Sequence, residues 1–183
     1  MTVRNFEGMQ PRIDATVRVD ATALVIGDVE IGADSSVWPM AVVRGDVNAI
    51  RIGARTNIQD GAVVHVTHDG EFTPGGFATH IGDDVTVGHR AIIHACTIGS
   101  RVLVGMGAIV MDGAVVPDDV IIGAGALVPP GRRLSAGQLY VGSPVHARRA
   151  LTDEEYRMLP YSARHYVDNA QRHGSADGTD STS

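Results

Sequence analysis

The sequence predicts an all-β solenoid, a parallel β-helix of hexapeptide repeats with a C-terminal α-helix, and three observations carry that prediction. Val and Ile number 24 and 13 against 7 Leu, a balance that favours strands over helices. Stepping by six from Val19 gives Val25, Ile31, Val37 and Val43, then Ile52, Ile58 and Val64 after a three-residue insertion. After a longer insertion the ladder resumes at Ile81, Val87 and Ile93, slips by one residue near Cys96, and runs on through Ile98, Val104, Val110, Val116, Ile122 and Val128, so that all 17 rungs are Val or Ile. Gly follows the rung directly at Gly32, Gly53, Gly82, Gly88, Gly99, Gly105 and Gly123, the expected place for a tight corner free of a Cβ. A β-sandwich would show alternation over short strands with wider turn spacing. An uninterrupted period of six instead stacks short strands whose β-branched rungs point into one continuous core.

The elements follow in order. Residues 1–150 form the β-helix and carry the candidate site. Thr152 with Glu155 makes a capping box and Leu151 with Tyr156 a hydrophobic staple, so a helix begins at Asp153. Pro160 is expected to interrupt it, with a second helical piece over 161–172. Residues 151–173 then pack along the coil, and 174–183, GSADGTDSTS, read as a disordered polar tail.

Composition excludes several functions. A net charge of -6 without any Lys/Arg run argues against nucleic acid. No Lys is present, which removes Schiff-base and Walker-type phosphate chemistry. The lone Cys96 cannot form an internal disulfide, and no stretch approaches a membrane span. A soluble cytoplasmic protein that binds neither nucleic acid nor membrane is the expectation.

The insertions line up a candidate metal site. One lies within 44–51 and the other within 66–80, and subtracting them brings positions into phase. Arg44 to His65 is 21 residues, or 18 without the first insertion; His65 to His94 is 29, or 18 without the second. The pattern resembles the β-helix of hexapeptide-repeat proteins, where three hexapeptides make one triangular coil of 18 residues; on that resemblance Arg44, His65 and His94 stack on one face, each directly after its rung. Strands lie about 4.8 Å apart, close enough for two stacked imidazoles to share one cation at roughly 2.0–2.1 Å per bond. His89 has a different phase, one coil above Asp60, and does not reach that point within one chain. Three coils around a threefold axis would bring His89 of one chain to His65 and His94 of the next, which predicts a homotrimer with shared sites. Three His ligands and an open position are the pattern of a catalytic zinc site. His68, His80, His146, His165 and His173, taken singly, read as ordinary histidines.

The ladder, VRGD at 43–46, NIQDG at 57–61, HVTHD at 65–69, VGHRAIIHACTIG at 87–99, VLVGMGAIV at 102–110 and LYVGSPVHARR at 139–149 together resemble the γ-class carbonic anhydrase family, most closely its short bacterial branch of carbonic anhydrase-like proteins. The resemblance implies a left-handed β-helix. It implies reversible hydration of CO2 to bicarbonate by a metal-bound hydroxide, with His65, His89 and His94 as ligands to Zn2+, or to Fe2+ or Co2+. By the same resemblance Gln59 stands beside the hydroxide and Asn57 orients CO2. Arg44, Asp46 and Asp60 serve in catalysis or as anchors of the trimer interface.

The chain departs from the family archetype, which carries an acidic loop with a glutamate proton shuttle. Here the loop is the shorter VTHDGEFTPGGFATH, and Val47 stands where the archetype has another glutamate. His68, Asp69, Glu71 and Tyr140 are the candidates to move the proton instead. Two alternatives follow: a metal-binding trimer with little or no carbonic anhydrase activity, and a hexapeptide acyltransferase with a histidine base and an acyl-coenzyme A donor.

Overall fold

A computed structural model describes residues 2–177. The chain winds as a left-handed parallel β-helix with one C-terminal helix, Asp153–Asp177. Its strands form three faces. Face 1 stacks Val3–Arg4, the first half of Leu24–Ile31, the first half of Val42–Ile52, then Val63–His65, Ile92–His94, Ile109–Val110 and Leu127–Val128. Face 2 stacks Arg12–Ile13, the later halves of the same two long strands, Thr79–Ile81, Thr97–Ile98 and Val115–Val116. Face 3 runs from Arg18–Val19 to Gln138–Val141.

All but one of the Val and Ile rungs are buried, from Val25 at 0% to Ile52 at 4% exposure, in a single core cluster; Val19, at the first coil, is half-buried against it. Stiff β-branched side chains suit a pleated inner surface, and each buried aliphatic contributes about 1.5–3 kcal/mol. The ladder extends beyond its sequence limits, to Ile13 at one end and to Leu134 and Tyr140 at the other.

The glycines after the rungs have a different cause from the one expected. They do not lie at positive φ. A Cβ on Gly82 would come within 2.7 Å of the Gly99 carbonyl carbon, and one on Gly105 within 2.5 Å of the Ala124 nitrogen, so close stacking of one coil on the next is what demands glycine there. The corner turns three residues after the rung, where Asp34, Met40, Arg55, Asp84, Arg90, Arg101 and Asp119 take φ of 53 to 60°. At the slip, Ala95 takes that role with φ 51°, one position early.

The first insertion is no outward loop: Val42–Ile52 continues as one strand around a corner, with a register shift opposite Gly27 and Val29. The second leaves the coil between Val63–His65 and Thr79–Ile81 and places Phe72 at 91% exposure. Neither changes the phase, because Val64 pairs with Val43 and Ile93, and Ile52 with Ile81.

The helix corrects two expectations. Its capping box forms, with the Glu155 amide donating to Thr152 Oγ1 at 3.2 Å and the Thr152 amide to Glu155 at 2.9 Å. Pro160, however, does not break it. Burial of Leu159 at 2% and Ala163 at 0% on either side of Pro160 holds the helix together against a proline cost of about 3 kcal/mol. The helix also continues through 174–177, into the expected tail; residues 178–183 lie outside the described residues. It covers face 3, packing near strands Arg18–Val19, Ser36–Val37, Asn57–Ile58 and Thr86–Val87. Among the described residues no helix is long and apolar enough to cross a membrane.

The outward side chains separate the faces. On face 1, the residues preceding the rungs are Leu24, Val42, Val63, Ile92, Ile109 and Leu127, paired in register from coil to coil. On face 2 the equivalent positions are Arg12, Glu30, Arg51, His80, Thr97 and Val115.

Candidate metal centre

The rung fixes where the next side chain points. Because Val64 and Ile93 face inward, His65 and His94 face outward, and their strands pair residue for residue. His65 Nδ1 lies 3.2 Å from His94 Nε2. The other nitrogen of each ring meets a carboxylate: His65 Nε2 lies 3.0 Å from Asp46, and His94 Nδ1 lies 2.7 Å from Asp112. Arg44, on the same face, pairs with Asp46.

The protonation pattern follows. Burial works to raise the Asp46 pKa, but hydrogen bonds with His65 and Arg44 outweigh it and hold the carboxylate below its ordinary range. Asp112 behaves alike, burial being outweighed by hydrogen bonds with Thr67 and His94. Burial pushes the His65 pKa down, against the pull of Asp46. A neutral imidazole has one N–H. In the tautomers that give each N–H to its carboxylate, the two facing nitrogens both present lone pairs.

Two lone pairs at 3.2 Å repel each other unless a proton or a metal cation lies between them. Two zinc–nitrogen bonds at a near-tetrahedral angle set their nitrogens about 3.3 Å apart, and a carboxylate behind each imidazole is the usual outer support of metal-bound histidine. The donor set therefore fits a divalent cation.

The remaining candidates lie elsewhere. His89 Nδ1 is 2.8 Å from Asp60, at the corner following face 3. Asn57 and Gln59 are buried there under the helix: Gln59 Nε2 donates to Asn57 Oδ1 at 3.0 Å, Asn57 Nδ2 to Thr86 Oγ1 at 3.1 Å, and Thr86 meets Ser162 of the helix at 3.2 Å. The candidates thus fall into two groups, Arg44, Asp46, His65 and His94 on face 1, and Asn57, Gln59, Asp60 and His89 at face 3. Among the described residues no hydrogen bond or ion pair joins the two groups, and no three His, Cys, Asp or Glu side chains of one chain come together as a metal cage.

Of the proton-transfer candidates, His68, Asp69 and Glu71 are exposed on the loop. Tyr140 is not available: it fills a rung position in the core at 4% exposure, its oxygen accepting from the Ser135 amide at 2.8 Å. Sequence reasoning missed Asp112, though its signal was present, since it lies 18 residues after His94, one coil on.

Similarity to known proteins agrees with this architecture. No protein-family profile matches the chain. It is 54% identical over 165 residues to Protein YrdA of Escherichia coli, covering 90% of each chain. It is 45% identical over 177 residues to the mitochondrial gamma carbonic anhydrase 2 of Arabidopsis thaliana, covering 95% of this chain but only 62% of the plant protein. A crystal structure of a hexapeptide transferase family protein from Anaplasma phagocytophilum superposes with a TM-score of 0.86 at 40% identity, over 93% of this chain and 96% of that one. With the coil and these relatives together, the chain is similar to the plant gamma carbonic anhydrase and belongs to the hexapeptide transferase family of left-handed β-helix proteins.

Proposed function

We propose that this protein is a γ-type carbonic anhydrase that interconverts CO2 and bicarbonate at metal sites shared between the subunits of a homotrimer. The observation that carries the reading is the convergence of two carboxylate-backed imidazole nitrogens at 3.2 Å. His65 and His94 of one chain and His89 of the next would hold Zn2+, or Fe2+ or Co2+, all of which suit imidazole. Bound there, the cation supplies a nucleophile at neutral pH by lowering the pKa of coordinated water toward about 7.

The aliphatic ladder of face 1 supports the trimer. Val63 and Ile92 are exposed at 36% and 38% beside His65 and His94, an apolar stripe that a second copy would bury while delivering the second group of site residues. Asp46 and Asp112 hold the ligand rings in one tautomer. The Asn57 and Thr86 contacts fix Gln59, whose carbonyl oxygen is left to accept from a substrate or product O–H. Arg44 places a cation where bicarbonate forms, and His68, Asp69 and Glu71 carry the released proton to solvent.

Stopped-flow CO2 hydration on protein purified anaerobically with iron or with zinc, compared with His89→Ala, tests the reading: activity is expected in the parent and lost in the variant. Unchanged activity in His89→Ala overturns it. The likeness to a hexapeptide transferase family protein favours acyl transfer as a second reading, and stabilisation by coenzyme A but not by bicarbonate in a thermal-shift assay would support it. Bound metal without hydration would leave a metal-binding trimer of little catalytic power.

A further inference from the structure

A groove of about 400 Å3 runs between the helix and the corner that carries His89. Its residues belong to four successive coils, from Gln59 through His89 and Met106 to Ala124, a length of roughly 14 Å at about 4.8 Å per coil. Gly88, Gly105 and Gly123 line it without side chains; a Cβ on Gly88 or Gly105 would come within 2.8 or 2.5 Å of the backbone of the next coil.

The lining changes character along its length. Gln59, Thr86, His89, Ser162 and the Tyr166 ring, which also meets Trp38, occupy one end, whereas Leu103, Ile121 and Met106 line the rest. CO2 has three heavy atoms and needs roughly 100 Å3 when scaled from the ~30 Å3 share of a water. A cavity of 400 Å3 is in the range of small organic ligands. An amphipathic molecule fits this gradient, with an alkyl chain along the glycine lining and a carbonyl at His89 and Gln59.

We infer that the groove binds the alkyl chain of an aliphatic acyl ester and brings its carbonyl to the candidate metal centre for hydrolysis. This rests on the proposed function for the trimer that brings His89 to the metal centre and for the chemistry at the carbonyl; binding of the alkyl chain needs neither. Water adds to the acyl carbon, the bond from that carbon to the ester oxygen breaks, the alcohol departs with a proton, and the carboxylate keeps its chain in the groove while one proton goes to solvent.

Binding has a readout independent of metal and turnover. Trp38 is the single tryptophan of the chain, and its ring meets Tyr166, a groove wall, edge-on at 5.4 Å. Titration of the full-length protein with octanoate is expected to change Trp38 fluorescence saturably, before and after chelation, whereas acetate does not. Ala124→Phe, at an exposed groove position, is expected to weaken octanoate at least tenfold with circular dichroism unchanged, and hydrolysis of 4-nitrophenyl octanoate over the acetate ester is expected to fall with it. Equal responses to octanoate and acetate, or unaltered octanoate affinity in Ala124→Phe, overturn the inference. So does dissociation of the assembly by Ala124→Phe in sedimentation, which would place a second copy of the chain in the groove. If chelated protein binds octanoate but neither metal nor hydration is found, the groove stands and the metal reading fails.

Discussion

Faces 1 and 2 share the same inner surface and have opposite outer ones. Inward, both present buried Val and Ile; outward, face 1 presents Leu24, Val42, Val63, Ile92, Ile109 and Leu127, while face 2 presents Arg12, Glu30, Arg51, His80, Thr97 and Val115. The core therefore specifies a coil without saying which side of it works. The outward residue beside each rung makes one face largely aliphatic and the other largely charged or polar.

The largest expected effect lies on that outer surface. Ile92→Glu should convert the proposed trimer to monomer at micromolar concentration in sedimentation, whereas Thr97→Glu, at an exposed position on face 2, should leave it assembled. Dissociation by both, or by neither, removes the distinction between the faces.

One step inward the faces should become equal. Ile93→Ala and Ile98→Ala, buried at 0% and 2%, are each expected to lose about 2–5 kcal/mol in urea unfolding. If only one of them is costly, the shared core is not the frame described above.

The metal sharpens the contrast further. Asp112→Ala should lower metal affinity roughly 10–100-fold by freeing the His94 ring, read by competition with a chelating dye. Asp28→Ala, which removes a face 2 partner of Arg51, should leave metal content unchanged. The smallest effect is expected from Arg51→Ala, since partly exposed ion pairs with Asp28 and Glu30 contribute at most about 1 kcal/mol; a loss above 2 kcal/mol would give face 2 a structural role.

How much of this was legible in the sequence depended on whether a residue acts through its own chemistry or through its neighbours. Val, Ile and the spacing of six revealed the coil because β-branching and periodicity are local properties. His65 and His94 could be stacked by subtraction because the solenoid converts sequence distance into height. Pro160 misled because the packing of Leu159 and Ala163 is a tertiary force that the local helix rules omit. The glycines were read as corner residues, although their constraint comes from the coil above. Tyr140 is a titratable group by sequence but a core residue by position, and Asp112 belongs to no motif, so only its height one coil above His94 marks it.

The loop between His65 and Thr79 leads further. Val64 keeps its register with Ile93 across it, and Ile52 with Ile81, so the coil closes as if the excursion were absent. Thr67 ties the loop's root to Asp112, but its tip around Phe72 stands in solvent. Loop length and composition are thus a variable independent of ligand geometry: a grafted acidic segment between Asp69 and Gly75 could change how fast protons leave without moving a histidine. Rate and scaffold are written in separate stretches of the chain, and each can be altered alone.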